Sequence, residues 1–400
     1  MKILMLSATF PYPPTKGGTQ VRTFNLLKEL SKNHQITLVT QAGSDVQPDE
    51  IADLQKWVEE LQLFPPPKQA SSSLVNKTRR FGNFLLQGTP PNVMSSYCDR
   101  IQQWIDQAVA DNNFDTITCE HSINEIYVRS PWRHKLKTLV NIHSSVYRTC
   151  QNQLETGTSE HPKRDRLYLP LLRRYEQNFC QKFSDIVVTT EEDKQQILEF
   201  NSQANIWVVP NGVDLTTFPY RHSDPGGHKL IFFGGMDYIA NIDAACFFAQ
   251  EILPKLQQLY PKTTLSIVGA NPSLKILKLA ELPGIIVTGR VAAIADYLHQ
   301  ATVCVIPMRT GFGIKNKTLE AMAAGTPIVA SDRGLSGIEV DDPLLALRAN
   351  TVDEYITAIS RLFEDVELRN NLSCNARNAI EQEYTWSNLA NRYEQVISNK

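Results

Sequence analysis

Short, uninterrupted apolar runs alternate along this chain with longer stretches in which apolar residues recur at helical spacing. That alternation predicts parallel sheets flanked by helices, an α/β fold, because an apolar run without polar breaks suits a strand buried on both faces. In the first half the predicted strands are 3–8, 36–40, 116–119, 138–142, 185–189 and 206–209. In the second half they are 229–233, 265–268, 285–288, 303–306 and 327–330.

Between the two series lies a polar, turn-rich stretch, 210–228, containing Asn211-Gly212 and Pro225-Gly226-Gly227. It reads as a domain linker. With 400 residues, the chain exceeds the roughly 250–300 that one core organises. The expected arrangement is therefore a first Rossmann-like domain over 1–212, a linker over 213–228, and a second such domain over 229–384. A last helix within 385–400 is expected to pack back on the first domain. Two doubly wound domains facing a central cleft would bind ligands in the loops after their strands.

Composition narrows the function classes. Hydrophobic residues make up 42% and charged residues 20%, with 40 basic against 42 acidic side chains. A net charge of -2 supplies no global field for a polyanion, so nucleic acid is not the expected partner. Seven scattered cysteines without a CxxC spacing argue against a disulfide framework or a zinc site and fit reduced thiols in the cytoplasm. The apolar run 1–7 ends before Pro11, Pro13 and Pro14, too short for a signal peptide or a membrane span. The segment 74–86 mixes Lys77, Arg79 and Arg80 with apolar residues. It suits either peripheral contact with the inner face of a membrane, as a lipid-linked acceptor would need, or an amphipathic helix on its own domain.

The strongest chemical signal is 307–327, read as strand end, glycine-bearing loop, helix, tight turn and strand. Gly311 and Gly313 let the backbone approach a ligand, and the helix that follows offers unpaired N–H groups to an anion. The helix dipole contributes about 0.3–1 kcal/mol, whereas a unit charge at 4 Å contributes roughly 4 kcal/mol at an effective dielectric near 20. Lys315 and Lys317 are therefore expected to dominate binding of a diphosphate, and Glu320, one turn on, to accept from ribose hydroxyls. A plain strand-turn-helix unit with surface lysines is the alternative.

This segment resembles the donor-site signature of family 4 glycosyltransferases, retaining enzymes with the GT-B fold. Further matches are Gly17-Gly18 before a helix carrying Arg22, His143 after the strand 138–142, and 208–214. Phe233-Gly234-Gly235-Met236-Asp237 with Asn241 and Asp243, and 287–291, complete them. The resemblance implies transfer of a sugar from a nucleotide-diphosphate donor, UDP- or GDP-linked, to a carbohydrate, lipid-linked or small-molecule acceptor. It implies Lys317, Lys315 and His143 as catalytic residues. Donor binding would fall to Arg309, Gly311, Phe312, Gly313, Ile314, Asn316, Thr318, Leu319 and Glu320, with Gly235, Met236, Asp237, Asn241, Arg290, Val291, Gly17 and Gly18. Glu120, His121 and Arg22 would stand on the acceptor side.

Two departures stand out. Position 312, where many members carry a glutamate that meets the donor sugar, is Phe, and the arginine–lysine pair usual after the first strand of the second domain is missing. The sequence instead resembles the subgroup with a glycine-x-glycine basic loop. Asn241-Ile242-Asp243 equally suits a helix cap, the default for Asp243. No DxD-type acidic pair sits in these loops, so neither metal nor cofactor is expected. A catalytically idle nucleotide-sugar binder and a nucleotide-sugar epimerase are the rival readings. A nicotinamide enzyme is disfavoured, because the turn after the first strand is rich in proline and lacks GxGxxG.

Overall fold

In the computed structural model, which describes residues 1–14, 17–67, 82, 84–86, 88–111 and 113–399, the first apolar run is β1 (Lys2–Ser7), and Ile3, Leu4 and Met5 have no exposed surface. The strands that follow are β2 (Gln35–Gln41), β3 (Glu60–Phe64), β4 (Thr116–Glu120), β5 (Lys137–Ile142), β6 (Asp185–Val188) and β7 (Ile206–Val208). They form a parallel sheet in the order β3-β2-β1-β4-β5-β6-β7. The second series is β8 (Lys229–Phe233), β9 (Thr264–Val268), β10 (Ile285–Gly289), β11 (Val303–Ile306), β12 (Ile328–Ala330) and β13 (Leu347–Arg348), ordered β10-β9-β8-β11-β12-β13. Both are doubly wound α/β sheets.

In each sheet the strand order reverses beside its first strand, between β1 and β4 and between β8 and β11. Those are the points where open α/β sheets bind ligands, beyond the carboxyl ends of the strands. The chain accordingly divides into one unit of Met1–Val209 with Leu389–Lys400 and a second of Pro210–Asn388.

The stretch 213–228, expected as a linker, belongs to the second unit. Val213 pairs with Thr385, Phe218 is buried, and Arg221, also buried, donates to the Ala301 carbonyl at 3.3 Å. Two strands escape the sequence reading. Glu60–Phe64 is a partly exposed edge strand without a continuous apolar run, and Leu347–Arg348 is only two residues long. Of the basic-apolar segment 74–86, only 82 and 84–86 lie within the described residues, and Lys16 lies outside them. Among the described residues no helix is long and apolar enough to cross a membrane.

Candidate functional site

In the second unit, β11 leads into the loop that carries Gly311 and Gly313, whose φ values of 94° and 75° favour glycine. The loop delivers the chain to the helix Asn316–Ala323, which has no side-chain cap at its start. The backbone N–H groups of Asn316 and Lys317 carry no hydrogen bond among the described residues. That is the donor array an anion needs.

Lys317 lies beneath the β8 loop. Its Nζ donates to Asn241 Oδ1 at 2.6 Å, lies 3.8 Å from the Met308 sulfur and stands 4.4 Å from the centre of the Phe232 ring. Burial lowers its pKa to about 8, with Cys304 and Glu320 pulling the other way. Asn241 also donates to the Gly235 carbonyl at 2.8 Å, tying the lysine to the β8 loop. The Glu320 carboxylate makes no hydrogen bond among the described residues, and burial raises its pKa to about 7 against the opposing pull of Lys317. A partly desolvated cation thus stands near a carboxylate that still lacks a donor.

The close fit depends on two glycines, Gly234 of the matching stretch 233–237 and Gly269, which sequence reasoning did not single out. A Cβ on Gly234 would stand 2.9 Å from Asn241 Nδ2 and 3.1 Å from Lys317 Nζ. One on Gly269 would fall 1.7 Å from the Gly234 carbonyl oxygen. Only the second contact is backbone against backbone, so Gly269 is the stricter requirement.

Several expected ligand residues are otherwise engaged. The Lys315 Nζ donates to its own loop, to the carbonyls of Gly311 (3.1 Å), Phe312 (3.0 Å) and Gly313 (2.7 Å), which uses all three ammonium hydrogens. In this arrangement its ammonium braces the loop. Arg309 is paired through Nε to Asp243 Oδ2 at 2.9 Å, with a second contact from Nη2, and lies over Phe247. Asp243 therefore holds an arginine and does not cap the helix Ile239–Phe247, whose N-cap is Tyr238. Met236 and Leu319 are core residues without exposure, and Ile314 is buried. The Thr318 hydroxyl is committed to the Gly334 carbonyl at 2.7 Å, and its backbone N–H and that of Leu319 bond to Lys315. The Asn316 Oδ1 accepts from Asn211 at 2.7 Å.

Phe312, where a carboxylate was the common alternative, lies under the Arg333 guanidinium at 4.3 Å. Gly235 and Asp237 are exposed on the β8 loop, Asp237 accepting from Asn271 at 3.2 Å, and Arg290 is exposed beyond β10 with Val291 packed on the core. A pocket of about 240 Å³ opens beside Arg309, lined also by Ser331, Arg333 and Tyr355. A larger hollow of about 430 Å³ lies at the amino ends of β1 to β3 and contains none of the expected residues.

In the first unit, Gly17 and Gly18 start the helix Gly18–Leu30 as expected, but Gly17 has an extended φ of 176° open to any residue. Arg22 and Glu120, expected to face an acceptor, have no exposed surface. Arg22 donates from Nε and Nη2 to Asn141 Oδ1 at 3.1 and 3.0 Å and to the Val209 carbonyl at 2.9 Å. Asn141 Nδ2 donates to Glu120 at 2.9 Å, and the Tyr393 hydroxyl donates to the other Glu120 oxygen at 2.8 Å. A buried charge needs such partners, so both residues hold strand ends together. A polar Asn141 inside an otherwise apolar strand was the sequence signal for this network.

The network ends at two histidines. His121, with a strained φ of 108°, accepts from the Ile123 N–H through Nδ1 at 3.3 Å. Its ring lies edge-on to His143, 5.0 Å between centres, and the buried Nε2 of His143 has no hydrogen-bond partner among the described residues. Burial holds His121 at about 4 and His143 well below the usual imidazole range, so both rings are neutral.

Comparison with known proteins agrees with this architecture. Residues 16–217, just over half of the chain, match Glycosyltransferase Family 4, and residues 227–365 match Glycosyl transferases group 1. A putative glycosyltransferase, YtcC of Bacillus subtilis, is 28% identical over 54% of this chain and 61% of its own. Glycogen synthase of Mycobacterium tuberculosis is 26% identical over 48% of each chain. The matches thus span about half the length of these curated relatives. Among solved structures, sucrose-phosphate synthase of Thermosynechococcus elongatus superposes with a TM-score of 0.68 at 17% identity, over 99% of this chain and 98% of its own. Anabaena HepE, solved with UDP and glucose, gives 0.66 at 14% identity over the whole of both chains. Two parallel α/β sheets, the helix start after β11 and these matches identify the chain as a GT-B protein that belongs to glycosyltransferase family 4.

Proposed function

We propose that this chain transfers a sugar from a nucleoside-diphosphate donor to a carbohydrate or lipid-linked acceptor with retention of anomeric configuration. The observation that carries the reading is the Lys317 Nζ, held by Asn241 and Phe232 beside a helix start whose first N–H groups lack partners among the described residues. As the bond to the anomeric carbon breaks, negative charge collects on the departing diphosphate, and a preorganised cation with aligned amides stabilises it most where water is scarce. Glu320 receives ribose hydroxyls, and the exposed β8 loop around Gly235 and Asp237 meets the sugar.

HepE was solved with UDP and glucose, which favours uridine diphosphate as the first ligand to try. A panel of UDP- and GDP-sugars read by thermal shift tests this, since a ligand at 100 times its dissociation constant adds about 2.7 kcal/mol to apparent stability. Stabilisation by one nucleotide sugar and transfer to an acceptor are expected. Stabilisation by none contradicts the reading. Because Lys317 and the helix amides stabilise the leaving group in this reading, transfer is expected to survive EDTA, and loss restored by a divalent ion contradicts that part. A second reading, binding without turnover, is favoured by Lys315 being spent on its own loop and by Phe312 under Arg333. Donor binding without hydrolysis or transfer is its signature.

A further inference from the structure

The helix Pro162–Cys180 of the first unit buries Asp165, Tyr175, Glu176, Phe179 and Cys180 on one face. Its other face, at positions 163, 166, 167, 170, 173 and 174, is exposed along a single stripe of helical spacing. Four of those six residues are cations, Lys163, Arg166, Arg173 and Arg174, and none of their side chains makes an ion pair or a hydrogen bond among the described residues. Leu167, in the middle of the stripe, is 63% exposed. Next along the helix, the Tyr168 ring packs edge-on against Phe84 at 5.3 Å, and Leu86, two residues beyond Phe84, is 87% exposed. In a chain whose net charge is -2, four cations with no side-chain partner among the described residues, grouped around an exposed leucine, form a local concentration of positive charge.

We propose that this face seats the protein on an anionic lipid surface, the arginines and lysine on headgroups and Leu167 with Leu86 at the acyl boundary. Charge complementarity selects the headgroups, and the exposed leucines distinguish a bilayer from a polyanion in free solution, which offers them nothing to enter. The inference deepens the lipid-linked option of the proposed function but does not depend on catalysis.

The test is flotation of the full chain with vesicles of phosphatidylcholine alone or with about a third phosphatidylglycerol. Binding is expected only to the anionic vesicles and should weaken as salt is raised. It should fall by roughly fivefold for each cation removed in the series Arg166→Gln, Arg173→Gln, Arg174→Gln. Leu167→Ser should weaken vesicle binding while leaving any heparin binding unchanged. UDP binding in solution, measured on the same variants, should be unaltered, which separates this claim from the donor site. Equal binding to neutral vesicles, no loss in the arginine series, or binding to heparin with none to anionic vesicles overturns the proposal. Failure of UDP to bind any form would count against the donor site alone.

Discussion

Replacing Lys317 by methionine separates the anion-binding role of this side chain from its packing. Methionine keeps an unbranched apolar stem against Phe232 and removes the charge that donates to Asn241 Oδ1. A diphosphate about 4 Å from the ammonium gains roughly 4 kcal/mol at an effective dielectric near 20. Allowing for solvent that partly replaces the lost cation, about 2–4 kcal/mol of binding should disappear, a roughly 30- to 700-fold loss of UDP affinity. Stability changes less, because two effects oppose. Asn241 loses its donor, which costs about 1–3 kcal/mol, while the fold no longer has to bury an ammonium, a burden visible in the pKa lowered to about 8. Isothermal titration calorimetry of UDP at fixed ionic strength, with a thermal melt of the same sample, reads both quantities. UDP affinity within about threefold of wild type in a folded variant would refute the assignment.

The pH dependence has a definite sign. Because the Lys317 pKa is near 8 when folded, UDP affinity should fall roughly tenfold per pH unit above that value. Stability moves the other way: the unfolded lysine, near 10.5, holds more protons between about 8 and 10.5, so this group's contribution is gained as pH rises through that window and lost as it falls through 8. Glu320, raised to about 7 from 4.5, contributes stability below 4.5 that is lost as pH rises through 7. A pH series of UDP titrations and melts checks both, and flat affinity from pH 7 to about 10 contradicts the first. Glu320→Gln should weaken UDP about tenfold or more while leaving inorganic pyrophosphate unchanged, because hydrogen bonds to a charged group are worth about 1.5–3 kcal/mol; equal losses for the two ligands would remove its ribose role. Gly269→Ala should lower the melting temperature by several degrees, since its Cβ meets the Gly234 carbonyl oxygen at 1.7 Å with φ at 155° and such strain costs about 1–3 kcal/mol or more. A wild-type melting curve would show that the β8 loop yields easily.

The strands were legible where they are buried on both faces, because burial demands a continuous apolar run, as in Ile231, Phe232 and Phe233. Glu60–Phe64 was not, since an edge strand with exposed positions leaves a mixed pattern. At the site, glycine spacing and the helix start were readable from the residues, and so was Lys317. What sequence could not supply was the direction of each side chain. Lys315 and Lys317 are two positions apart and look alike in sequence, yet one folds onto three carbonyls of its own loop and the other runs beneath β8. Arg22 and Glu120 read as strand-end and helix-start charges, but their mutual satisfaction through Asn141 and Tyr393 spans 393 minus 22 positions of sequence, a pairing only the folded chain reveals. Gly269 was missed for the same reason, because its constraint comes from a neighbouring strand's loop.

The most direct measurement is the position of the β-phosphate in crystals of this protein grown with UDP. The account places a β-phosphate oxygen within about 3 Å of Lys317 Nζ and of the first backbone N–H groups of the helix Asn316–Ala323. Clear density for UDP whose phosphates lie elsewhere, with Lys317 still turned to Asn241 and Phe232, would contradict it.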